Sequence, residues 1–213
     1  MKSAKKILII LGLIMCLSML YGQKTQDFKP GRKCSFPQTY TNTEISRADS
    51  AHGFDVQKYE ITLSINDAFH NVFGNVLATV QATENLSSIA YELKGLNVTS
   101  VKVNGINTNY THSLGLITIP LNVIAGEQFT TQIFYSGNPV LSNDAYHIGM
   151  IFSSNTVFTI SDPDAARYWW PCYDHPWDKA IVDLHITMRS DWKVASNGIR
   201  TAIVDNGDGT STT

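Results

Sequence analysis

One short segment of the chain, residues 166–180, concentrates the side chains that could do chemistry. It reads ARYWWPCYDHPWDKA and contains three tryptophans, two tyrosines, two prolines, a cysteine and a histidine. His175 beside Asp174 could act as an acid–base pair, or His175 could supply one metal ligand. Pro171 and Pro176 fix the backbone on either side of this pair, which favours a rigid structural loop over both chemical roles.

Outside this segment, the sequence contains no motif with the spacing of a known catalytic site. There is no HExxH pair for zinc, no GxSxG nucleophile elbow and no phosphate-binding glycine loop. The histidines are scattered, at positions 52, 70, 112, 147, 175 and 185. Cys34 and Cys172 could form a disulfide or remain two buried thiols. The sequence therefore assigns no catalytic residue and no metal ligand to this chain.

Two physical roles are open for the segment 166–180. In the first, Arg167 and Asp174 form a charged hydrogen bond that orients the loop, and its large rings anchor a corner of the domain. Each ring would bury ~150–250 Å² if it faced inward. The rings are those of Trp169, Trp170, Tyr173 and Trp177. In the second role, the Trp-rich loop of an exported protein binds a glycan or another protein by ring stacking.

Short segments of alternating polarity must position this loop. In YEITLSI, residues 59–65, apolar and polar side chains alternate, which predicts a half-buried strand. Further strands are predicted at 72–83, 89–95, 96–105, 114–121, 128–137 and 180–188. Residues 138–160 are expected to form a long connection that ends in a short strand, TVFTI. Because no helical periodicity exceeds two turns, the sequence predicts an all-β fold, an antiparallel saddle-like β-sandwich.

The N-terminal residues predict export. Three lysines precede the apolar run Ile7–Tyr21, and Gly22 follows it, which is typical of a secretory signal peptide over residues 1–22. The run is too short to span a membrane, so we expect no stable membrane span after cleavage. A polar leader over residues 23–53 and a β domain over residues 54–213 are expected to follow. The mature protein would be periplasmic, cell-surface or secreted.

Composition and the C-terminal end limit the remaining possibilities. The net charge of −2 and the absence of basic runs argue against a nucleic-acid partner. A hydrophobic content of 43% is sufficient for a buried core. The final hairpin, with its tip at residues 206–209, barely begins its second strand before Thr213. We therefore expect the chain to be a truncated piece of a longer protein.

In its Trp-rich segment the sequence resembles the aminopeptidase N family of zinc metallopeptidases, peptidase family M1. That family carries the signature ARxxFPCxDEPxxKAxF near the end of its N-terminal β domain. The matching residues here are Ala166, Arg167, Pro171, Cys172, Asp174, Pro176, Lys179 and Ala180. Trp170 replaces the commoner Phe and His175 the commoner Glu, as expected of a divergent, bacterial member. DWKVASNG, residues 191–198, matches the strand and turn that follow, so the resemblance covers about 54–213.

The resemblance implies a role in substrate binding. In that family the β domain packs against a thermolysin-like catalytic domain and covers its active site. One acidic or amide side chain of the β domain binds the free α-amino group of the peptide, five positions before the motif arginine. Counting back from Arg167 gives Asp162 as this residue. The nearby Asp164 is the alternative candidate for this binding role. Asp162 could instead be a turn residue before Pro163.

The resemblance also implies where the chemistry lies. The zinc ions, their ligands and the base glutamate belong to a catalytic domain beyond residue 213, so zinc is expected in the full-length enzyme and not in this fragment. The expected partners are that missing catalytic domain and peptide substrates, and the fragment alone should be inactive. Two alternatives are a free-standing secreted β-sandwich that binds glycans or proteins through residues 166–180, and an inactive structural remnant of a peptidase.

Overall fold

A computed structural model of the chain describes residues 52–213, together with the backbone of a two-residue strand at Leu8–Ile9. The predicted signal peptide and polar leader therefore lie outside the described residues, apart from that strand and the last two positions of the leader. All that follows concerns the compact unit that contains Gly53–Thr213. In the described part of the chain, no helix is long and apolar enough to cross a membrane.

Strands are the main regular elements of the described chain. Their bounds are β1 Leu8–Ile9, β2 Phe54–Asn66, β3 Asn71–Ala82, β4 Leu86–Glu92, β5 Asn97–Val103, β6 Ile106–Asn107, β7 Thr111–Ser113, β8 Leu116–Val123, β9 Gln128–Gly137, β10 Gly149–Ser153, β11 Thr156–Ile160, β12 Ile181–Arg189, β13 Val194–Ala195, β14 Val204–Asp205 and β15 Thr210–Thr212. One 3₁₀ turn, Ala166–Tyr168, lies between β11 and β12.

The largest layer is an eight-stranded sheet with the order β14–β15–β12–β2–β3–β9–β5–β6. Its centre is the long antiparallel pair of β2 and β3, in which Ile61 lies opposite Val76. One of its pairings is parallel: β12 lies beside β2, with Ile181 opposite Lys58. A parallel neighbour requires a crossover connection. The chain between β11 and β12, which contains the Trp-rich segment, completes that crossover.

A three-stranded sheet, β4–β8–β7, packs against one face of the large sheet. The fully buried side chains come from both layers, and they include Ile61, Leu63, Ile89, Tyr91, Ile117, Ile119, Ile133 and Tyr135. Each aliphatic side chain in this core contributes roughly 1.5–3 kcal/mol through burial. Across the interface, the hydroxyls of Tyr91 and Thr131 share a hydrogen bond of 2.8 Å. The predicted β-sandwich is confirmed.

Local sequence explains most of these elements. Along β2 the burial pattern alternates as the apolar spacing predicts, with Ile61 and Leu63 buried. Asn104 and Gly105 both adopt positive φ angles, 48° and 78°, which the tight turn from β5 to β6 requires. The prediction of a long connection over residues 138–160 is partly wrong, because β10 pairs with β11 in a hairpin inside it. The apolar run of β10 is short and is preceded by a polar loop, so its periodicity was too weak to detect.

Candidate functional site

The Trp-rich segment, residues 166–180, is held against the end of the three-stranded sheet β4–β8–β7, the small sheet. It starts in the 3₁₀ turn and then runs past the last residue of β4, where Glu92 and Cys172 exchange two backbone hydrogen bonds of 2.7 and 3.2 Å. The backbone N–H of Lys94 also donates to the carbonyl of Arg167 at 2.7 Å. The segment therefore pairs with the backbone N–H and C=O groups at the end of β4, as an additional strand would.

Arg167 organises the inside of the segment. Its Nε donates to Oδ2 of Asp174 at 2.8 Å, and its backbone N–H donates to the same oxygen at 3.1 Å. The Nη2 atom reaches Oδ2 of Asp164 at 3.1 Å and the carbonyl of Asp174 at 3.2 Å. The side chains of Arg167 and Asp174 are only 14% and 9% exposed. This charged pair closes the loop, as the sequence predicts.

A second carboxylate, that of Glu92, ties the segment to β4. Its Oε2 accepts the backbone N–H of Asp174 at 3.1 Å, and its Oε1 lies 3.0 Å from Nε2 of His175. The hydroxyl of Tyr59 on β2 accepts the N–H of Tyr173 at 3.1 Å. His175 thus has a structural partner, in agreement with the rigid-loop interpretation. Sequence reasoning missed Glu92 and Tyr59, because both residues lie far from the motif along the chain.

The aromatic rings divide into a buried group and an exposed one. Trp169 and Trp170 are buried, and Trp170 packs edge-on against Tyr59 with ring centroids 4.9 Å apart. Trp177 is 44% exposed and stacks on His175 at 4.7 Å. The condition for full burial, that the ring faces inward, is therefore met by Trp169 and Trp170 and not by Trp177. It follows Pro176 in an exposed turn, and the ring of His175 covers one of its faces.

The remaining motif residues also have structural environments. Pro171 and Cys172 are buried, whereas Pro176 and Lys179 are exposed. Burial raises the pKa of the Cys172 thiol well above its usual range, so the thiol stays protonated and unreactive. It is a free thiol in the structure, and Cys34 lies outside the described residues.

Asp162 lies just before the motif, in the exposed loop between β11 and the 3₁₀ turn. The loop is held at its base: the N–H of Ala165 donates to the carbonyl of Ser161 at 3.0 Å, and Nε1 of Trp169 donates to the Ser161 hydroxyl at 3.1 Å. Within the described residues, the Asp162 carboxylate has no hydrogen-bond or ion-pair partner. The Asp164 carboxylate, in contrast, is engaged by Arg167. Of the two candidates, Asp162 is the one whose charge is available to a ligand.

Asp178 gives the segment a pH-dependent contact with β2. Its Oδ2 accepts the backbone N–H of Val56 at 3.5 Å, and its own N–H donates to the carbonyl of His175 at 3.2 Å. Burial, with a further contribution from the nearby Asp55 carboxylate, raises the pKa of Asp178 from 3.8 to about 6. At neutral pH the Asp178 carboxyl group is therefore ionised in surroundings that disfavour its charged form.

Replacing Asp178 with asparagine is expected to stabilise the domain at neutral pH. An amide oxygen can still accept from Val56, and it removes a charge that destabilises the folded state above about pH 6. Because the group is half-exposed, solvent screening limits the gain to about 1 kcal/mol, or roughly 2–4 °C in Tm. Thermal unfolding should show the full gain near pH 7.5, and the gain should shrink as the pH falls from about 6 to below 4, where the carboxyl is protonated in both the folded and the unfolded chain. A lower Tm at both pH values would show instead that the carboxylate makes a favourable contact.

Comparison with known protein families decides what kind of domain this is. Residues 56–213 match the family described as the Peptidase M1 N-terminal domain. The chain belongs to the M1 peptidase family. The Trp-rich segment and Asp162 thus lie within an M1 N-terminal domain, and the match favours this assignment over a free-standing glycan- or protein-binding module.

Solved structures of M1 enzymes share the fold. The M1 zinc metallopeptidase from Deinococcus radiodurans superposes with a TM-score of 0.72 at 28% identity, over 76% of this chain and 38% of that one. A mutant of the same enzyme, bound to a Tyr-Ser-Ala substrate, gives 0.71 at 27% identity over 75% and 38%. A two-domain M1 zinc metallopeptidase mutant bound to L-arginine gives 0.71 at 28% identity, over the same fractions. The M1 domain thus spans about two fifths of the length of these relatives.

Zinc is the metal of these M1 relatives, and the described residues 52–213 do not fit it. No group of three or more histidine, cysteine, aspartate or glutamate side chains in that range could hold a metal ion. A zinc site in an enzyme needs three such ligands around an open position. His175, the candidate ligand in the sequence, is paired with Glu92, stacks on Trp177 and contacts the tilted ring of Tyr173.

Proposed function

We propose that this chain is the N-terminal, substrate-covering domain of an exported zinc aminopeptidase, in which Asp162 binds the free α-amino group of the peptide. The remainder of the polypeptide supplies the zinc ligands and the general base. The exported location rests on the signal-peptide pattern of residues 1–22. On its own, the chain is expected to be inactive.

The observation that carries this proposal is the free carboxylate of Asp162. An aspartate without an intramolecular partner, on a loop with a fixed base, can accept an ammonium group without first breaking another bond. Its position, five residues before Arg167, is the one that the family resemblance implies. A charged hydrogen bond of this kind selects for peptides whose N-terminus is free.

The rest of the segment keeps this carboxylate in place. Arg167 connects the 3₁₀ turn to Asp174, and Glu92 connects Asp174 to the small sheet. The loop that contains Asp162 is thereby anchored at its base by hydrogen bonds, although Asp162 itself is exposed. A binding residue needs a rigid support of this kind if it is to hold the substrate in a fixed position.

The function is tested with the protein encoded by the full reading frame. Loaded with zinc, it is expected to release the N-terminal tyrosine from Tyr-Ser-Ala, and to release nothing from the N-acetylated tripeptide, because the acetyl group removes the ammonium charge. A chelator should abolish the activity and zinc should restore it. Equal cleavage of the free and acetylated peptides, or cleavage only at internal bonds, would contradict an aminopeptidase.

A further inference from the structure

Ser161, the residue that precedes Asp162, is tied to the buried ring of Trp169. The indole Nε1 of Trp169 donates to the Ser161 hydroxyl at 3.1 Å, and the carbonyl of Ser161 accepts the backbone N–H of Ala165 at 3.0 Å. From Asp162 to Asp164 the loop is exposed. The two contacts of Ser161 therefore fix the point at which the chain enters this exposed loop.

Trp169 is a rigid anchor for the first of these contacts. It is 7% exposed, and its backbone N–H donates to the carbonyl of Ala166 at 3.0 Å, where the 3₁₀ turn ends. Its ring lies against that of Trp170, with centroids 5.8 Å apart. An indole has one hydrogen-bond donor and no acceptor, so a buried tryptophan needs a partner for its N–H. Because packing holds the ring in place, the hydrogen bond ties Ser161 to the core.

The neighbouring Trp170 shows that burial alone does not create this link. Its side chain is buried to a similar degree, at 9% exposed. Within the described residues, however, its Nε1 atom has no hydrogen-bond partner. The two adjacent tryptophans therefore have similar burial and differ in whether the indole N–H is bonded to the loop that contains Asp162.

The position of the Asp162 carboxylate depends closely on the backbone beside it. A single methylene group joins the carboxylate of an aspartate to the main chain, so the side chain cannot compensate for a shift of the loop. On the far side of the loop, the contact between Asp164 and Arg167 involves a carboxylate that is 59% exposed, and such contacts hold weakly. The hydrogen bond of Ser161, directly next to Asp162, is therefore the stronger constraint on where the carboxylate lies.

We propose that Trp169 and Ser161 are positioning residues for substrate binding, and that their hydrogen bond holds the Asp162 carboxylate where the α-amino group of the peptide binds. This inference rests on the proposed function, because it assigns the binding itself to Asp162. It gives a buried tryptophan of the Trp-rich segment a measurable effect on the affinity for substrate. That effect passes through Asp162 and requires no contact between Trp169 and the peptide.

Steady-state kinetics on Tyr-Ser-Ala test the proposal in the zinc-loaded protein encoded by the full reading frame. Trp169→Phe keeps an aromatic ring and removes the N–H donor, so KM is expected to rise about 3- to 10-fold while kcat stays within about 2-fold of the native value. Ser161→Ala should raise KM to a similar extent. Ser161→Thr keeps a hydroxyl group and should restore most of the native KM.

Trp170→Phe is the matched control for these variants. It makes the same substitution in the adjacent ring, but it removes an N–H that has no partner within the described residues. KM should therefore stay close to the native value. Equal increases of KM in Trp169→Phe and Trp170→Phe would overturn the proposal, because loss of ring packing would then explain both. If Trp169→Phe does not fold, the comparison of Ser161→Ala with Ser161→Thr decides the question.

The same substitutions in an Asp162→Asn background show whether the effect passes through Asp162. There, Trp169→Phe should change KM by less than about 2-fold, since the charge that it positions is gone. An increase as large as in the native background would overturn the proposal. A raised KM in Asp162→Asn, with a native KM in both Trp169→Phe and Ser161→Ala, refutes this inference and leaves the proposed function intact. A native KM in Asp162→Asn refutes the binding role of Asp162 itself.

Discussion

Replacing Asp174 with alanine is expected to lower the free energy of unfolding by about 3 kcal/mol, which corresponds to roughly 6–12 °C in Tm. The substitution leaves the guanidinium of Arg167, which is 14% exposed, without its main partner. It also removes the acceptor of the Arg167 backbone N–H, so two donors in the segment lose the oxygen that they share. A largely buried charge that loses its main partner costs more than the pair itself contributes, and the remaining contact with the exposed Asp164 offsets only part of this cost.

Asp164→Asn provides the matched control for this measurement. Asp164 pairs with the same guanidinium, but its side chain is 59% exposed, so its loss should cost less than about 1 kcal/mol. Thermal unfolding followed by circular dichroism would compare the two variants with the native chain. If Asp174→Ala and Asp164→Asn changed Tm equally, the buried pair would not be what holds the Trp-rich segment closed.

Much of the fold could be predicted from the sequence because its strands follow a local rule. In β2, every second residue from Tyr59 to Ile65 is apolar, and the same residues are buried. The Asn104–Gly105 turn could be predicted for a similar reason, since few other residue pairs adopt two positive φ angles at low cost. The parallel pairing of β12 with β2 could not be predicted, because it joins strands more than a hundred residues apart and leaves no local signal.

In the candidate site, too, contacts between residues close in sequence could be predicted, and contacts between distant residues could not. The Arg167–Asp174 pair spans seven residues, so sequence proximity and opposite charge were enough to predict it. Glu92 lies 82 residues from Asp174. In the sequence it is simply a polar residue between the apolar Tyr91 and Leu93, where alternation predicts a solvent-facing side chain. Its role depends on the crossover that carries the Trp-rich segment past the end of β4, and only the three-dimensional fold contains that information.

Replacing Asp162 with asparagine in the full-length enzyme is expected to reduce kcat/KM roughly 10- to 100-fold for peptides with a free N-terminus. The expected size follows from a charged hydrogen bond, worth about 1.5–3 kcal/mol, and from a tenfold change in rate for each 1.36 kcal/mol. Most of the loss should appear in KM, because the ammonium group is bound equally in the ground state and the transition state. Tm should change little, since the carboxylate is exposed and has no partner within the described residues.

Two further variants show whether the effect belongs to the charge of Asp162 alone. Asp162→Glu keeps the carboxylate and should recover part of the activity. Asp164→Asn removes the neighbouring carboxylate, which is already engaged by Arg167, and should leave kcat/KM close to the native value. A large loss in Asp164→Asn with native activity in Asp162→Asn would transfer the binding role to Asp164.

The most direct test of the whole account is therefore the ratio of kcat/KM between the native enzyme and Asp162→Asn, measured on Tyr-Ser-Ala with zinc present. If Asp162 binds the α-amino group, the ratio is at least about 10 and is due mainly to KM, with Tm unchanged. A ratio near 1 in a folded, active enzyme would contradict it, and the N-terminal domain would then contribute structure without binding the N-terminus of the substrate.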